Sequence, residues 1–323
     1  MLCPLIPRGT LTNLCLVGTG GIATQHIKAF LEIGGVHPRW VVSRRPEAVE
    51  EFAEQWQFDH CGIELEKALV DPDVDLVVIT SPSTFHAAQA MSALRADKDV
   101  IVEIPVAVSL ADALRVAELA AETGRRVQVC HTMRSFAAIR EIRRRVQSGE
   151  LSLSQITAFF SIPRRRNQSW AGQRNWIDNL LWHHGCHLVD VAMWVLGVTE
   201  VEQIGAIIGR THQQFGMAMD VSIQFRTAKR QVVTQTLTYN AEEISWEIRF
   251  IGDEDVLIFD TGRLLNEQNE ELIPEASYLD LVPQNSKMLA TLRDRTPGDY
   301  EIESVLPSMR VLHDAEQAAT SGS

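Results

Sequence analysis

Three histidines lie close together near the middle of the chain, at His183, His184 and His187, and Asp190 follows one helical turn later. An imidazole gains or loses its charge near neutral pH and therefore suits removal of a proton from a hydroxyl group. On a continuous helix, His183, His187 and Asp190 would share one face. We therefore interpret His187 as a general base that Asp190 orients and His183 assists.

Two other interpretations of this segment stay open. Histidines four residues apart can share a zinc ion, and His184 offers a further donor. The segment lacks the glutamate of an H-E-x-x-H motif, and no second cluster of cysteine or histidine accompanies it, so we predict no metal site. The histidines could instead be structural, with their ring nitrogens hydrogen-bonded inside the core.

A concentrated run of positive charge precedes the histidines, from Arg164 to Arg166, and Arg174 follows it. Arginine binds carboxylates through two parallel hydrogen bonds. Because the chain as a whole is acidic, we interpret this run as a site for an anionic substrate and assign Arg164, Arg165, Arg174 and His184 to substrate binding. The alternative is a solvated loop, which is the usual state of a charge run.

A glycine-rich turn lies near the beginning of the chain. The residues from Gly18 to Ala23 read Gly-Thr-Gly-Gly-Ile-Ala, which is a G-x-G-x-x-A pattern between a short apolar run and a helical segment. The glycines permit a tight turn and a close approach of backbone to a pyrophosphate, which then binds at the start of the helix. The sequence therefore predicts a dinucleotide site at this turn.

The residues after the second predicted strand indicate which dinucleotide binds. In Rossmann folds that bind NAD, an acidic residue at this point accepts hydrogen bonds from the ribose hydroxyls. This chain has Ser43, Arg44 and Arg45 here instead. Two guanidinium groups and a hydroxyl suit a 2′-phosphate. We therefore predict NADP as the cofactor and NAD as a weaker one, with the alternative that both arginines only solvate a loop.

The elements that must position these residues form two groups. Short β-branched runs at 14–17, 40–42, 76–79, 100–102 and 127–130 alternate with helical segments, which predicts a doubly wound parallel sheet of the Rossmann type over residues 1–133. Beyond residue 134 apolar residues recur with period two at 217–225, 233–239 and 246–250. We predict an α+β domain over residues 134–323 with an open, mostly antiparallel sheet, and a final helix at 303–319 packing on the body.

Composition excludes several classes of function. The 323 residues carry a formal net charge of −12, and nucleic-acid binding would need a basic face, so we predict no nucleic-acid partner. The five cysteines are scattered without paired spacing, which favours reduced thiols in the cytoplasm. No apolar run is long enough for a signal peptide or a membrane span, so we predict a cytoplasmic protein without a membrane partner.

Taken together, these motifs resemble the Gfo/Idh/MocA oxidoreductases over essentially the whole chain. The matching residues are Gly18 to Ala23 with His26, Thr80-Ser81-Pro82 with His86, Glu103-Ile104-Pro105, Arg134, Trp176, and His187 with Asp190. The resemblance implies a second domain that builds the substrate site and forms a homodimer or homotetramer through its sheet. It also implies these cofactor contacts: Gly18, Gly20, Gly21, Ile22, Ser43, Arg44, Arg45, Thr80, Ser81, Pro82, His86, Glu103, Ile104, Arg134 and Trp176.

Three positions depart from the usual family pattern. Ile104 replaces the lysine of E-K-P, His183 replaces an acid, and Ile177 replaces an arginine. These departures resemble one subgroup, the 4-carboxy-2-hydroxymuconate-6-semialdehyde dehydrogenases of protocatechuate 4,5-cleavage. The resemblance implies NADP-dependent oxidation of a dicarboxylated cyclic hemiacetal to 2-pyrone-4,6-dicarboxylate. Two alternatives remain. The chain could be another NAD(P)-dependent dehydrogenase, acting on a sugar, inositol or other cyclic alcohol, or it could be an NADP-binding sensor without turnover.

Overall fold

The computed structural model of the protein describes residues 11–165, 168–169, 172–173 and 179–321. These residues divide into two compact units. The first unit contains the residues up to Cys130 together with Leu279–Ser304, and the second contains His131–Tyr278 together with the residues from Val305 onwards. The division differs from the predicted domain ranges of 1–133 and 134–323, because the segment Leu279–Ser304 packs with the first unit and not with the second.

The first unit is built on a six-stranded parallel sheet in the order β3-β2-β1-β4-β5-β6. Its elements along the chain are β1 (Thr12–Val17), α1 (Gly21–Ile33), β2 (Val36–Val42), α2 (Pro46–Trp56), β3 (His60–Gly62), α3 (Leu65–Leu69), β4 (Leu76–Ile79), α4 (His86–Arg95), β5 (Asp99–Val102), α5 (Leu110–Thr123) and β6 (Val127–Val129). The order reverses direction at β1 and β4, where ligands bind in sheets of this kind. The prediction of a Rossmann-type sheet is confirmed.

The central strands are short, continuous apolar runs because helices cover both faces of the sheet. In β1, Leu14, Cys15 and Leu16 have no exposed surface, and in β4 all four residues are buried. A strand that is buried on both faces carries apolar side chains at every position, whereas a strand with one wet face alternates. The continuous apolar pattern is therefore typical of a parallel sheet with both faces covered, in which polar residues lie at the strand ends.

The second unit is built on an eight-stranded sheet in the order β10-β13-β14-β7-β15-β16-β17-β18. Its elements are α6 (Ala137–Ser148), β7 (Leu153–Pro163), β8 (Gln168–Ser169), β9 (Gly172–Gln173), α7 (Leu180–His183), α8 (Gly185–Leu196), β10 (Gln203–Ile208), β11 (Thr211–His212), β12 (Met217–Ala218), β13 (Asp220–Arg226), β14 (Val232–Thr238), β15 (Asn240–Gly252), β16 (Val256–Asp260), β17 (Arg263–Asn266) and β18 (Glu271–Ile273). Within this sheet the pair of β14 and β7 is parallel and the other neighbours are antiparallel, which confirms the predicted open, mostly antiparallel sheet.

One face of this sheet is buried and the other is open. Val221, Ile223 and Phe225 of β13 are at most 3% exposed, while the residues between them are partly or fully accessible. Gln235 of β14 points to the buried face and donates from Nε2 to the carbonyl oxygen of Leu188 in α8, over 2.6 Å. Helix α8 therefore packs against the buried face, and a side-chain hydrogen bond fixes it to the sheet.

Two helices complete the chain, α9 (Val282–Asp294) and α10 (Ile302–Ser321). Helix α9 belongs to the first unit, where Met288, Leu289 and Leu292 join the apolar core that β1 and α1 form. Helix α10 covers the predicted final helix at 303–319. No described helix has the length and apolar character that crossing a membrane requires.

Candidate active site

The glycine turn connects β1 to α1 and leaves the start of the helix without a side-chain cap. Gly18 has a φ of +119°, and a Cβ atom there would lie 2.6 Å from Thr80 Oγ1 and 3.0 Å from the Thr80 carbonyl oxygen, so only glycine fits. A Cβ atom at Gly20, the N-cap of α1, would meet no described atom within 4 Å. The first-turn amides at Gly21 and Ile22 can therefore bind an anion such as a pyrophosphate.

The turn after β2 lies beside the glycine turn. Thr19 Oγ1 donates to Ser43 Oγ over 3.1 Å, which joins the two turns. Arg44 and Arg45 are exposed, and the Arg44 guanidinium carbon lies 4.6 Å from the centroid of the Phe85 ring. Arg45 is the N-cap of α2. The turn therefore combines a hydroxyl, two guanidinium groups and a helix start, all of which attract a phosphate group. The residues present fit a nicotinamide dinucleotide.

The residues after β4 line the same carboxyl edge of the sheet. Thr80 is buried and its Oγ1 donates to the Val17 carbonyl oxygen over 2.8 Å, so this side chain holds β4 to the end of β1. Ser81 and Pro82 are half-buried. The position of these residues agrees with a cofactor contact through Ser81 and Pro82. The Thr80 hydroxyl instead donates its hydrogen bond to the backbone of β1.

His86 lies in a position that does not suit its predicted contact with the cofactor. Its side chain is buried, its Nδ1 lies 2.8 Å from the Pro105 carbonyl oxygen, and its Nε2 lies 2.7 Å from the Ser81 carbonyl oxygen. Both ring nitrogens therefore face backbone carbonyls. The residue joins the turns after β4 and β5, and we exclude it from the proposed cofactor contacts.

Glu103 follows β5, and 13% of its side chain is exposed. Its Oε1 lies 2.8 Å from His26 Nε2, and its Oε2 accepts a hydrogen bond from the Ile104 amide over 3.2 Å. The Ile104 side chain is buried, so its contribution to a cofactor site is through the backbone. Among the described residues, the donor atoms close enough together for a metal ion belong to His26, Glu103 and Cys130, and not to the histidine segment.

In the second unit the histidine segment forms two helices, not one. Helix α7 ends at His183, and His187 donates its amide to the His184 carbonyl oxygen only three residues back, over 3.2 Å. The predicted stripe through His183 and His187 on one continuous helix is therefore corrected. Between residues 181 and 190, His183 and His187 are the half-buried positions and the other eight are buried.

The imidazole rings of this unit form a cluster. The ring centroids lie 4.4 Å apart for His183 and His184, 6.4 Å for His184 and His187, and 6.2 Å for His187 and His131. His184 is 7% exposed and its Nδ1 lies 2.6 Å from the Tyr239 hydroxyl. His184 is therefore held inside the core, which does not favour its predicted contact with substrate, and the accessible imidazoles are those of His183 and His187.

Asp190 pairs with arginine and not with His187 as predicted. Its two carboxylate oxygens accept from Arg134 Nε over 2.8 Å and Nη2 over 2.5 Å, and Ser308 Oγ donates to it over 3.2 Å. Its Oδ2 also lies 3.2 Å from His131 Nδ1. The reason is electrostatic, because the positive charge of a guanidinium stabilises a buried carboxylate more than a neutral imidazole would.

The same pair determines the charge of Asp190 and the position of Arg134. Burial alone would raise the pKa of Asp190, but the positive charge of Arg134, with His131 and the hydrogen bonds, brings that pKa below its usual value. The Arg134 side chain is 1% exposed. A guanidinium that is buried and bonded to a carboxylate is a structural group, so we also exclude Arg134 from the proposed cofactor contacts.

The predicted arginine site is described in part. Arg164 is 8% exposed, donates its amide to the Tyr239 carbonyl oxygen over 3.1 Å, and has its guanidinium carbon 5.9 Å from the Tyr239 ring centroid. Arg165 is exposed, and its Nη2 donates to the Asn240 carbonyl oxygen over 2.6 Å. Arg174 and Trp176 lie outside the described residues. Of the predicted substrate arginines, Arg164 therefore lies beside the histidine cluster, because Tyr239 contacts both Arg164 and His184.

Comparison with known proteins identifies the family. Residues 12–131 match the family described as "Oxidoreductase family, NAD-binding Rossmann fold", and residues 138–274 match "Bacterial oxidoreductases, C-terminal". A 4-carboxy-2-hydroxymuconate-6-semialdehyde dehydrogenase from Sphingobium sp. (strain NBRC 103272 / SYK-6) is 32% identical over 311 residues, covering 94% of this chain and 98% of that protein. The chain belongs to the Gfo/Idh/MocA oxidoreductases. The predicted family is confirmed, and the first unit is an NAD(P)-binding Rossmann fold.

Solved structures of the Gfo/Idh/MocA type share the fold at low identity. GenD2 from gentamicin A biosynthesis, in complex with NAD, is similar with a TM-score of 0.84 and 19% identity over 99% of this chain and 98% of that one. Levoglucosan dehydrogenase, in complex with NADH and L-sorbose, is similar with a TM-score of 0.83 and 14% identity over 97% and 98%. At these identities the similarity concerns the fold alone.

Several residues of this Gfo/Idh/MocA chain escaped sequence reasoning. Asn285 comes from α9, far along the chain, yet its Nδ2 lies 3.1 Å from His26 Nδ1. His131 directly precedes the Thr-Met-Arg motif, and Tyr239 continues the period-two pattern of β14. The proximity of His131 to Arg134 was the available signal. Nothing in the sequence pairs Asn285 with His26 or Tyr239 with His184, because both contacts depend on tertiary packing.

Proposed function

We propose that the chain is an NADP-dependent dehydrogenase that oxidises the cyclic hemiacetal of 4-carboxy-2-hydroxymuconate-6-semialdehyde to 2-pyrone-4,6-dicarboxylate, in protocatechuate 4,5-cleavage. The observation that carries the proposal is the selective exposure of His183 and His187 within a segment that is otherwise buried. The substrate assignment is supported by the semialdehyde dehydrogenase that is 32% identical along nearly the whole chain.

The chemistry requires removal of one proton and one hydride. His187 accepts the proton of the hemiacetal hydroxyl, and the carbon that bears this hydroxyl loses hydride and becomes the lactone carbonyl. NADP⁺, when bound, supplies the hydride acceptor. His183 assists His187, since it is the second accessible imidazole of the cluster. Because Ile104 stands where other family members carry lysine, an imidazole is the base that this chain offers.

Arginines bind the two carboxylates of the substrate in this proposal. Arg164 is mostly buried beside Tyr239, and Tyr239 contacts His184 of the histidine cluster. A guanidinium that is held by packing loses little conformational freedom when it binds a carboxylate. Arg165 and Arg174 are the further arginines that we assign to this role. The scattered cysteines also lead us to propose a cytoplasmic location, where thiols stay reduced.

The deciding experiment measures NADPH formation by absorbance with the muconate semialdehyde, glucose and myo-inositol, each with NADP⁺ and with NAD⁺. We expect turnover with the semialdehyde and NADP⁺. Replacing the base by His187→Asn should lower kcat about 100-fold or more, because general base catalysis contributes about that factor, and should leave the Kd for NADPH within about twofold. The matched control is His212→Asn, whose ring stacks on Phe215 in the β11–β12 hairpin.

Other outcomes would contradict one part of the proposal each. Turnover with glucose or myo-inositol but not with the semialdehyde would assign the chain to a different dehydrogenase of the family. Tight NADPH binding without turnover on any substrate would favour a sensor. Normal kcat in His187→Asn would remove His187 as the base, and a large loss in His183→Asn alone would transfer that role to His183.

A further inference from the structure

A buried polar cluster surrounds His26 in the first unit. His26 lies on the inner side of α1 and has no exposed surface. Its Nε2 lies 2.8 Å from Glu103 Oε1, and its Nδ1 lies 3.1 Å from Nδ2 of Asn285, which is itself fully buried. Three segments that are distant in sequence, the start of α1, the turn after β5 and helix α9, therefore meet at one imidazole.

The hydrogen bonds of this cluster have a defined direction. Gln284 Nε2 lies 3.5 Å from Asn285 Oδ1, so the amide oxygen faces Gln284 and the amide nitrogen faces His26. Because Asn285 donates to Nδ1, that nitrogen carries the lone pair and the ring proton is on Nε2. The Nε2–H group then donates to Glu103 Oε1. The second carboxylate oxygen of Glu103 accepts from the Ile104 amide, so both oxygens are held.

We propose that Asn285 and His26 are positioning residues, which hold the Glu103 carboxylate ionised and in one orientation at the carboxyl end of β5, facing a hydroxyl donor of the bound dinucleotide. Asn285 fixes the imidazole tautomer, and the imidazole fixes the carboxylate. The part of this inference that concerns the dinucleotide rests on the proposed function, whereas the proton arrangement does not. Helix α9, which lies in sequence between the two chain segments of the second unit, thereby contributes a residue to the cofactor site of the first.

Cys130 is the third group beside His26, and its protonation state bears on where the imidazole proton lies. Its Sγ lies 4.0 Å from His26 Nε2, and it has no exposed surface. Burial raises the pKa of the Cys130 thiol well above its usual value, and the negative charge of Glu103 raises it further. In the metal-free protein the thiol therefore stays protonated, and it leaves the imidazole proton on Nε2 to Glu103.

The test of the proton arrangement uses the cofactor-free protein. In nitrogen NMR spectra, the His26 signal, assigned by its absence in His26→Gln, should report the Nε2–H tautomer at neutral pH. Asn285→Asp places a carboxylate at Nδ1, which demands a second ring proton, so His26 should become doubly protonated. Thr291→Val, at another buried polar position of α9, is the matched control and should leave the His26 signal unchanged.

The effect on Glu103 is tested through NADPH binding, followed by fluorescence. His26→Leu removes the donor to Glu103 and should raise the Kd about tenfold, which corresponds to one hydrogen bond to a charged group. His26→Gln offers an amide donor in the same place and should restore the Kd to within about threefold. Since Asn285 acts only through His26, Asn285→Leu should raise the Kd in the wild type but add nothing in His26→Leu.

Several results would overturn the proposal. An Nδ1–H tautomer in the wild type, or additive effects of His26→Leu and Asn285→Leu, would contradict the relay. Stoichiometric zinc in the purified protein that disappears in Cys130→Ser would make the cluster a metal site instead. If His26→Leu fails to fold, the NMR spectra decide alone, through the His26 tautomer of the wild type and the second ring proton in Asn285→Asp. Failure of the substrate screen would leave these readouts intact, because none of them depends on turnover.

Discussion

At the scale of single residues, Asp190 shows how burial decides the role of a charge. The carboxylate is 2% exposed and Arg134 is 1% exposed, so neither can exchange its partner for water. Burying two charges costs free energy that their mutual attraction recovers only when the geometry is good, and here both carboxylate oxygens are bonded. The pair therefore fixes the start of the second unit to α8, one turn after His187, and its contribution to the histidine cluster is structural.

Asp190→Asn should destabilise the protein by about 3 to 5 kcal/mol at neutral pH, since it leaves the Arg134 guanidinium buried without its carboxylate. The measurement is the free energy of unfolding in urea. The pKa of Asp190 is lowered in the folded state, so the stabilisation is present above the unfolded pKa of about 4 and is lost as pH falls further. The difference between wild type and variant should therefore shrink below about pH 4.

The control for this substitution is Asp260→Asn, which breaks the partly exposed pair with Arg263 and should lower the free energy of unfolding by about 1 kcal/mol or less. Equal destabilisation by both substitutions would show that burial does not determine the strength of the Asp190 pair. A difference between Asp190→Asn and wild type that persists unchanged at pH 2 would show that Asp190 is not the ionised partner of Arg134.

Residue types and spacing predicted some members of the candidate site and missed others for a physical reason. His183 and His187 could be singled out because imidazoles are rare in an apolar helical segment. The partner of Asp190 could not be predicted, because Arg134 lies 56 positions earlier and is brought near only by packing. Helical spacing pointed to His187 as that partner, but spacing carries no information on which neighbour offers a charge.

At the scale of elements, strands and helices followed from periodicity, whereas the break at His184 did not. Gly185 is the residue from Leu180 to Leu196 whose type disfavours a helix interior, and a single glycine does not fix a break. The break reflects tertiary contacts, since His184 bonds Tyr239 of the neighbouring sheet. Similarly, the continuous strand predicted at 217–225 divides at Met219, because Met217–Ala218 pair with β11 and not with β10.

The turn between β2 and α2 allows a prediction about cofactor choice. If Arg44 binds a 2′-phosphate, Arg44→Ala should raise the Kd for NADPH about tenfold to 100-fold, because a hydrogen bond to a charged group contributes about that much. The Kd for NADH should stay within about twofold, since NADH lacks the phosphate. Fluorescence titration with each nucleotide measures both values. Arg95→Ala, an exposed arginine on α4, is the control. Equal loss of NADPH and NADH affinity would instead assign Arg44 to the adenine through its position beside Phe85.

At the scale of the whole molecule, the open face of the second sheet carries apolar side chains in water. Phe159 is 45% exposed, Val232 is 42% exposed and Ile207 is 76% exposed. The strand register places Ile207, Ser222, Thr236 and Phe159 in one row across four strands. Beyond Phe159 the same row continues to Glu247 of β15 and Asp260 of β16, so its apolar part lies on β10, β13, β14 and β7. Exposed apolar side chains that share one face of a sheet are typical of interfaces.

We therefore propose that two copies of the chain associate through this face, as a homodimer or as part of a homotetramer. Sedimentation should show a wild-type dimer or tetramer at micromolar concentration. Phe159→Lys places a charge at one of these exposed apolar positions and should shift the protein to a smaller species. Ile63→Lys, at an exposed apolar position of the first unit, should not. A monomeric wild type, or equal dissociation by both substitutions, would contradict this interface. Because a C2 interface uses the same patch on both copies, one substitution introduces a charge into the interface twice, so Phe159→Lys should act strongly while the fold of each copy remains unchanged.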